Sequence, residues 1–167
     1  MKRVILAILL MVMSTVCYAE TALDAIKALR RLDVLAANGT SYKDYSYFLG
    51  DAKIEVDIYL KGDEAKRNKK LSATIIECMG LYEYAGSLFS IMENTKGFIN
   101  IGTDASPADK KIASEYFSRF PEDKKDVAAG GVVVTNQQAV KFKIKIAINK
   151  IFKRASDKYS EAMGMLK

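Results

Sequence analysis

The sequence predicts an all-α protein: an elongated antiparallel four-helix bundle with one shorter helix and a minor two-stranded β patch in its loops. Three observations predict it. Long apolar seams recur at alternating steps of three and four residues, the spacing that keeps side chains on one side of an α-helix. Residues that stop and start helices fall between the seams. Half of the residues are hydrophobic while 28% are charged, enough of each to give every helix a buried face and a solvated one.

The first nineteen residues stand apart from the fold, because they have the three parts of a secretory signal. Lys2 and Arg3 form the basic start, Val4 to Val16 the apolar run, and Cys17-Tyr18-Ala19 a small-x-small cleavage site, with cleavage expected after Ala19. The run is shorter than the roughly 20 residues that a membrane-spanning helix needs. A lipoprotein site at Cys17 is disfavoured, since Ser14 stands where a large aliphatic is usual and Val16 where a small residue is. The expected organisation is therefore a signal peptide over 1–19, removed, and a single helical domain over 20–167, with no transmembrane span. A domain of that size buries about 70% of the surface its unfolded chain exposes.

The first helix is expected to start at Thr21-Ala22-Leu23-Asp24, a capping hydroxyl with an acid three places on. Ala25, Ile26, Leu29, Leu32, Leu35 and Ala36 supply its apolar face, with Lys27, Arg30, Arg31 and Asp33 elsewhere, and Asn38-Gly39 ends it. The second opens with the same device, Ser41-Tyr42-Lys43-Asp44, and carries Tyr42, Tyr45, Leu49, Ala52, Val56 and Tyr59. Gly62 breaks the chain, so the third helix folds back as the second arm of a hairpin. Asp63 and Asn68 are its alternative caps; its seam is Leu71, Ile75, Cys78, Tyr82, Ala85, Phe89 and Met92, and Asn94 and Gly97 stop it.

Gly97-Phe-Ile-Asn-Ile-Gly102 is short, β-rich and bounded by glycines, and Gly130 to Thr135 is its expected mate. Between them Ser106-Pro107-Ala108-Asp109 is the clearest helix start in the chain, with a capping serine, proline at the first helical position and an acid after it. That short helix uses Ile112, Tyr116, Phe117 and Phe120, and Pro121 ends it; Glu122 to Ala129 reads as a polar connection. Thr135-Asn-Gln-Gln138 reads as a capping box for the last helix. Residues 140–148 alternate as a strand would, yet Val140, Ile144, Ala147, Ile151, Ala155, Tyr159, Ala162 and Leu166 hold a helical seam, and the longer pattern favours helix.

Most catalytic chemistry lacks its residues. The chain has no histidine, which removes the commonest general base and the usual transition-metal ligand. Neither Gly-x-Ser-x-Gly nor Ser-x-x-Lys occurs in residues 20–167. Gly97 to Thr103 has the glycine spacing of a phosphate loop but no lysine after the second glycine. Asp51 and Glu55, one turn apart, read as a solvated helix face, as do Asp157 and Glu161. No cofactor, metal or catalytic residue is expected. Cys78 is the one cysteine outside the signal and sits on a seam, where it is expected to pack as a small apolar residue. A thiol that instead reached another chain would make a homodimer. The absence of an internal disulfide suits a bacterial periplasm better than a fully extracellular setting.

Removal of Lys2 and Arg3 lowers the formal charge of +6 by two, so the remaining basicity favours acidic surfaces only weakly, and nucleic acid is not expected as a partner. Two features point to function. The last helix presents Lys143, Lys150 and Arg154 among further lysines, candidate contacts for an anionic envelope component. Tyr42, Tyr45, Tyr59 and Tyr82 bring hydroxyls onto the seams, which either fill the core or line a gap for a small apolar ligand. The expected function is thus that of an exported, non-catalytic bundle acting on an unknown protein or an anionic envelope surface, with a ligand carrier or sensor as the alternative.

Overall fold

The computed structural model describes residues 21–95, 97–102, 105–128, 132–134 and 137–166. The expected signal segment and the expected cleavage after Ala19 lie outside these residues. The fold class is the predicted one: helices dominate, the pairs α4·α7 and α1·α2 pack as in a bundle, and antiparallel β structure is minor. Among the described residues there are seven helices: α1 over 21–38, α2 Tyr42–Lys61, α3 Asp63–Arg67, α4 Lys69–Thr95, α5 Pro107–Arg119, α6 Lys124–Val127 and α7 Ile144–Gly164. Four three-residue strands accompany them: β1 Phe98–Asn100, β2 Val132–Val134, β3 Gln137–Ala139 and β4 Lys141–Lys143.

The described residues group into two compact units. One is built from the chain up to Glu83 together with the chain from Phe152; the other runs from Tyr84 to Ile151. The first unit holds four helical segments, α1, α2, the start of α4 and the end of α7, with α3 as a short link. Its core is the predicted seams: Ile26, Leu29 and Leu32 of α1, Tyr45, Val56 and Tyr59 of α2, Leu71, Ile75, Cys78 and Tyr82 of α4, and Ala155 and Ala162 of α7 are all buried. Each fully buried Leu or Ile contributes about 1.5–3 kcal/mol.

The helix boundaries follow their caps. Gly39 takes φ +71, the left-handed turn that closes α1 at no steric cost. Ser41 Oγ then accepts from Asp44 N–H at 3.1 Å to open α2. Asp63 and Asn68 each begin a helix: Asp63 starts the five-residue α3, and Asn68 Oδ1 accepts from Leu71 N–H at 3.2 Å to cap α4. At the other end Thr21 is already helical, and its hydroxyl donates to Glu64 at 3.2 Å rather than acting as the expected cap.

The second unit corrects three expectations. The mate of β1 is Lys141–Lys143, with Ile99 opposite Phe142, while Val132–Val134 pairs with Gln137–Ala139. Ile99 and Phe142 are both buried, so this cross-strand pair closes the small core where a 130–135 partner was expected. Val132–Val134 finds a mate a few residues on, where loop closure costs least. Residues 140–148 are half strand and half helix: β4 ends at Lys143 and α7 starts at Ile144, with no capping box at Gln138, which lies in β3; Thr135 and Asn136 lie outside the described residues. The reason is a long-range pairing: the antiparallel ladder with β1 continues to Ile144, whose N–H donates to Gly97 O at 3.1 Å and so satisfies the first free donor of the helix. Finally, 122–129 is not a featureless connection, because Pro121–Asp123 forms a 3-10 turn and Lys124–Val127 the short α6.

Candidate functional site

The seam tyrosines come together in the first unit as core. Tyr45, Tyr59 and Tyr82 are fully buried. Tyr45 OH donates to the backbone oxygen of Tyr82 at 2.8 Å, and Tyr82 OH to Asp33 Oδ1 at 3.3 Å. Tyr59 OH lies 3.1 Å from Ser72 Oγ. Ser72 spends its own proton on the backbone oxygen of Ala65, 2.8 Å away, which leaves the Tyr59 phenol as the donor. Phe152 packs against Tyr45 and Tyr82, with ring centroids 5.5 and 6.3 Å apart. Burial pushes both of these phenols well above the ordinary tyrosine range. Tyr42, the fourth candidate, is half-buried at the start of α2.

Cys78 sits in the same core with its thiol donating to Ala155 O at 3.3 Å. Burial, with Asp33 and Glu77 adding to it, pushes the thiol up to about 12. This is opposite to what a nucleophilic cysteine needs, since the thiolate is the reactive form.

The cations expected to meet an anionic surface are dispersed in role. Lys150 bridges two carboxylates, Asp123 at 3.2 Å and Asp126 at 2.7 Å. Those bonds, the one to Asp126 foremost, raise its pKa. Asp123 is 2% exposed and also receives the Tyr116 hydroxyl at 2.6 Å, so Lys150 closes a buried polar cluster from the outside. The ring of Tyr116 lies 5.2 Å from Phe120 and 5.2 Å from Phe142. Lys143 and Arg154 are half-exposed. Next to Lys143, Lys141 Nζ lies 4.3 Å above the ring of the exposed Phe98. Asp51 and Glu55 are half-buried on α2, and among the described residues no three potential ligands converge on a metal position.

One opening in the first unit is a feature that sequence reasoning missed. It is an open groove of about 330 Å³ lined by Lys27, Arg30, Arg31, Val34 and Leu35 of α1 and Phe48 of α2. The five α1 residues fall at i, i+3, i+4, i+7 and i+8, one stripe of the helix, opposite the buried Leu29 and Leu32. That spacing was the available signal. Val34 is 48% exposed, an aliphatic left in water beside these cations. Lys27 pairs with Asp24 at 3.0 Å, an exposed pair of small worth. Arg30 and Arg31 are exposed and make no ion pair or hydrogen bond among the described residues, and no carboxylate lines the groove.

A second groove, of about 230 Å³, lies between α2 and α4 beside Val56, Leu60, Ile76 and Met79. Its one lysine is already paired, Lys53 lying 2.6 Å from Glu83, and Asp57 adds a further acid to the lining. Comparison with family models, curated proteins and solved structures returned no match.

Proposed function

We propose that the chain is an exported, non-catalytic helical-bundle protein of a bacterial periplasm that works by contact with an anionic, partly apolar component of the envelope. Export rests on the basic start, apolar run and Cys17-Tyr18-Ala19 site of the first nineteen residues. The contact rests on one observation: among the described residues Arg30 and Arg31 have no carboxylate partner, and they line a groove with Val34, Leu35 and Phe48. Guanidinium groups left unneutralised beside exposed aliphatic surface attract anions and shelter hydrocarbon at once. The non-catalytic part draws on the absence of histidine and on the upward shifts of Cys78, Tyr45 and Tyr82, which hold these groups in their unreactive protonated forms.

Protein recovered from the periplasm of bacteria expressing the full chain tests both halves. Mass spectrometry is expected to find Glu20 at the N-terminus. Flotation is expected to carry the protein with phosphatidylglycerol vesicles, less so as salt rises, and to leave it behind with phosphatidylcholine vesicles. Retention of residues 1–19 in the cytoplasm, or equal flotation with both vesicle types, would overturn the reading.

A further inference from the structure

We infer that the groove between α1 and α2 is a binding site for a single-chain anionic amphiphile, a long-chain fatty carboxylate, with Arg30 and Arg31 on the head group and Val34, Leu35 and Phe48 against the chain. The inference rests on the envelope-contact reading and names the ligand of that same site.

Three features select this occupant. The first is charge: Arg30 and Arg31 line the groove without an ion pair among the described residues, Lys27 beside them being held by Asp24, and the two adjacent guanidinium groups can each grip a carboxylate through paired N–H donors. The second is placement: Val34, Leu35 and Phe48 line the same open groove as the two arginines, so the head group and the chain of one molecule can be engaged together. The third is size: about 330 Å³ is at the lower end of small-molecule sites, room for one chain rather than the two of a diacyl lipid. Chain burial would cover Val34, which is half-exposed in the free protein, and supply the apolar part of the affinity.

The test titrates periplasmic protein with laurate by calorimetry, with dodecyltrimethylammonium and 1-dodecanol as probes of head-group charge. Saturable binding of laurate, at least about tenfold tighter than of either probe, is expected. Arg30→Glu/Arg31→Glu is expected to weaken laurate by about tenfold or more, and Val34→Asp to weaken laurate and dodecanol alike. All three positions are exposed, and circular dichroism checks that the variants remain helical. Lys143→Glu, outside the groove, is expected to leave laurate binding unchanged. Equal affinity for laurate and the ammonium surfactant, or equal loss in the Lys143→Glu and double-arginine variants, would overturn the assignment. Flotation with phosphatidylglycerol vesicles without laurate binding would refute the fatty-carboxylate site while sparing the envelope reading; failure of both would refute both.

Discussion

Raising the pH from about 8 to 11 is expected to destabilise the first unit through groups that its core holds protonated. Burial lifts the Cys78 thiol from an ordinary value of 9.0 to about 12, and it lifts the Tyr45 and Tyr82 phenols far above their ordinary 10.0. In the unfolded chain these groups ionise at their ordinary values, so above about pH 9 the unfolded state binds fewer protons than the folded one. Stability is then fully present below pH 9 and falls as pH rises towards the folded values, by about 1.4 kcal/mol per unit for each group once its unfolded form is ionised. By pH 11 the thiol and two phenols together cost about 5 kcal/mol, comparable to the whole stability of an ordinary domain. Tyr59 and Tyr84, also raised by burial, act in the same direction. Urea unfolding followed by circular dichroism at each pH is expected to lose about 2.5 M in midpoint between pH 8 and 11, taking a slope of about 2 kcal/mol per M. Absorbance of tyrosinate should rise together with the unfolding signal, and Cys78→Ala should remove about half of the loss. An unchanged midpoint at pH 11, or phenols that all titrate near 10 in a chain that is still helical, would refute the reasoning.

Three further outcomes follow from single sites. Alkylation of Cys78 by iodoacetamide at about pH 8 should be about a thousandfold slower in the folded protein than in guanidinium, from the thiolate fraction alone; rates within tenfold of each other would contradict its burial. Tyr116→Phe removes the buried hydroxyl that donates to Asp123 at 2.6 Å and should cost about 1.5–3 kcal/mol, read as a fall in Tm of about 5 °C. Gly39→Ala, at φ +71, should destabilise by about 1–2 kcal/mol, whereas Gly50→Ala, inside α2 where an added Cβ meets nothing within 4 Å, should stabilise by about 0.5–1 kcal/mol; thermal melts with shifts of opposite sign check the pair.

The seams and the caps were legible because both are local. Tyr45, Ala52, Val56 and Tyr59 on α2, and Leu71, Ile75, Cys78 and Tyr82 on α4, were read as one side of each helix and are buried. Ser41 and Ser106 were read as caps, and their hydroxyls accept from Asp44 and Asp109 N–H. What the pattern left open depended on distant partners. Alternation over 140–148 and a helical seam through the same residues are both correct in part, and only the pairing of Lys141–Lys143 with Phe98–Asn100 decides where one yields to the other. The tyrosine hydroxyls posed the same problem. Their partners are the Tyr82 carbonyl, Asp33 and Ser72, positions 37, 49 and 13 residues away in the chain, so no window of sequence could separate a filled core from a lined gap.

Charge shows the same division between what a residue is and what it meets. On sequence alone the last helix carries the more basic face, and Lys27, Arg30 and Arg31 look like ordinary solvated positions beside Asp33. The 3-10 turn at Pro121–Asp123 and the helix after it bring two carboxylates onto Lys150, which removes most of that lysine's field. Asp33 meanwhile accepts the hydroxyl of Tyr82. An ion's reach depends on the charge left after its neighbours are counted, and a cation bound to two acids attracts a third only weakly. Arg30 and Arg31 have no ion pair among the described residues, and they lie next to exposed aliphatic surface, where a head group and a chain can be engaged together. Net basicity is therefore a poor guide to where the proposed contact falls. The informative quantity is the uncompensated charge beside uncovered hydrocarbon, and among the described residues that combination points to α1.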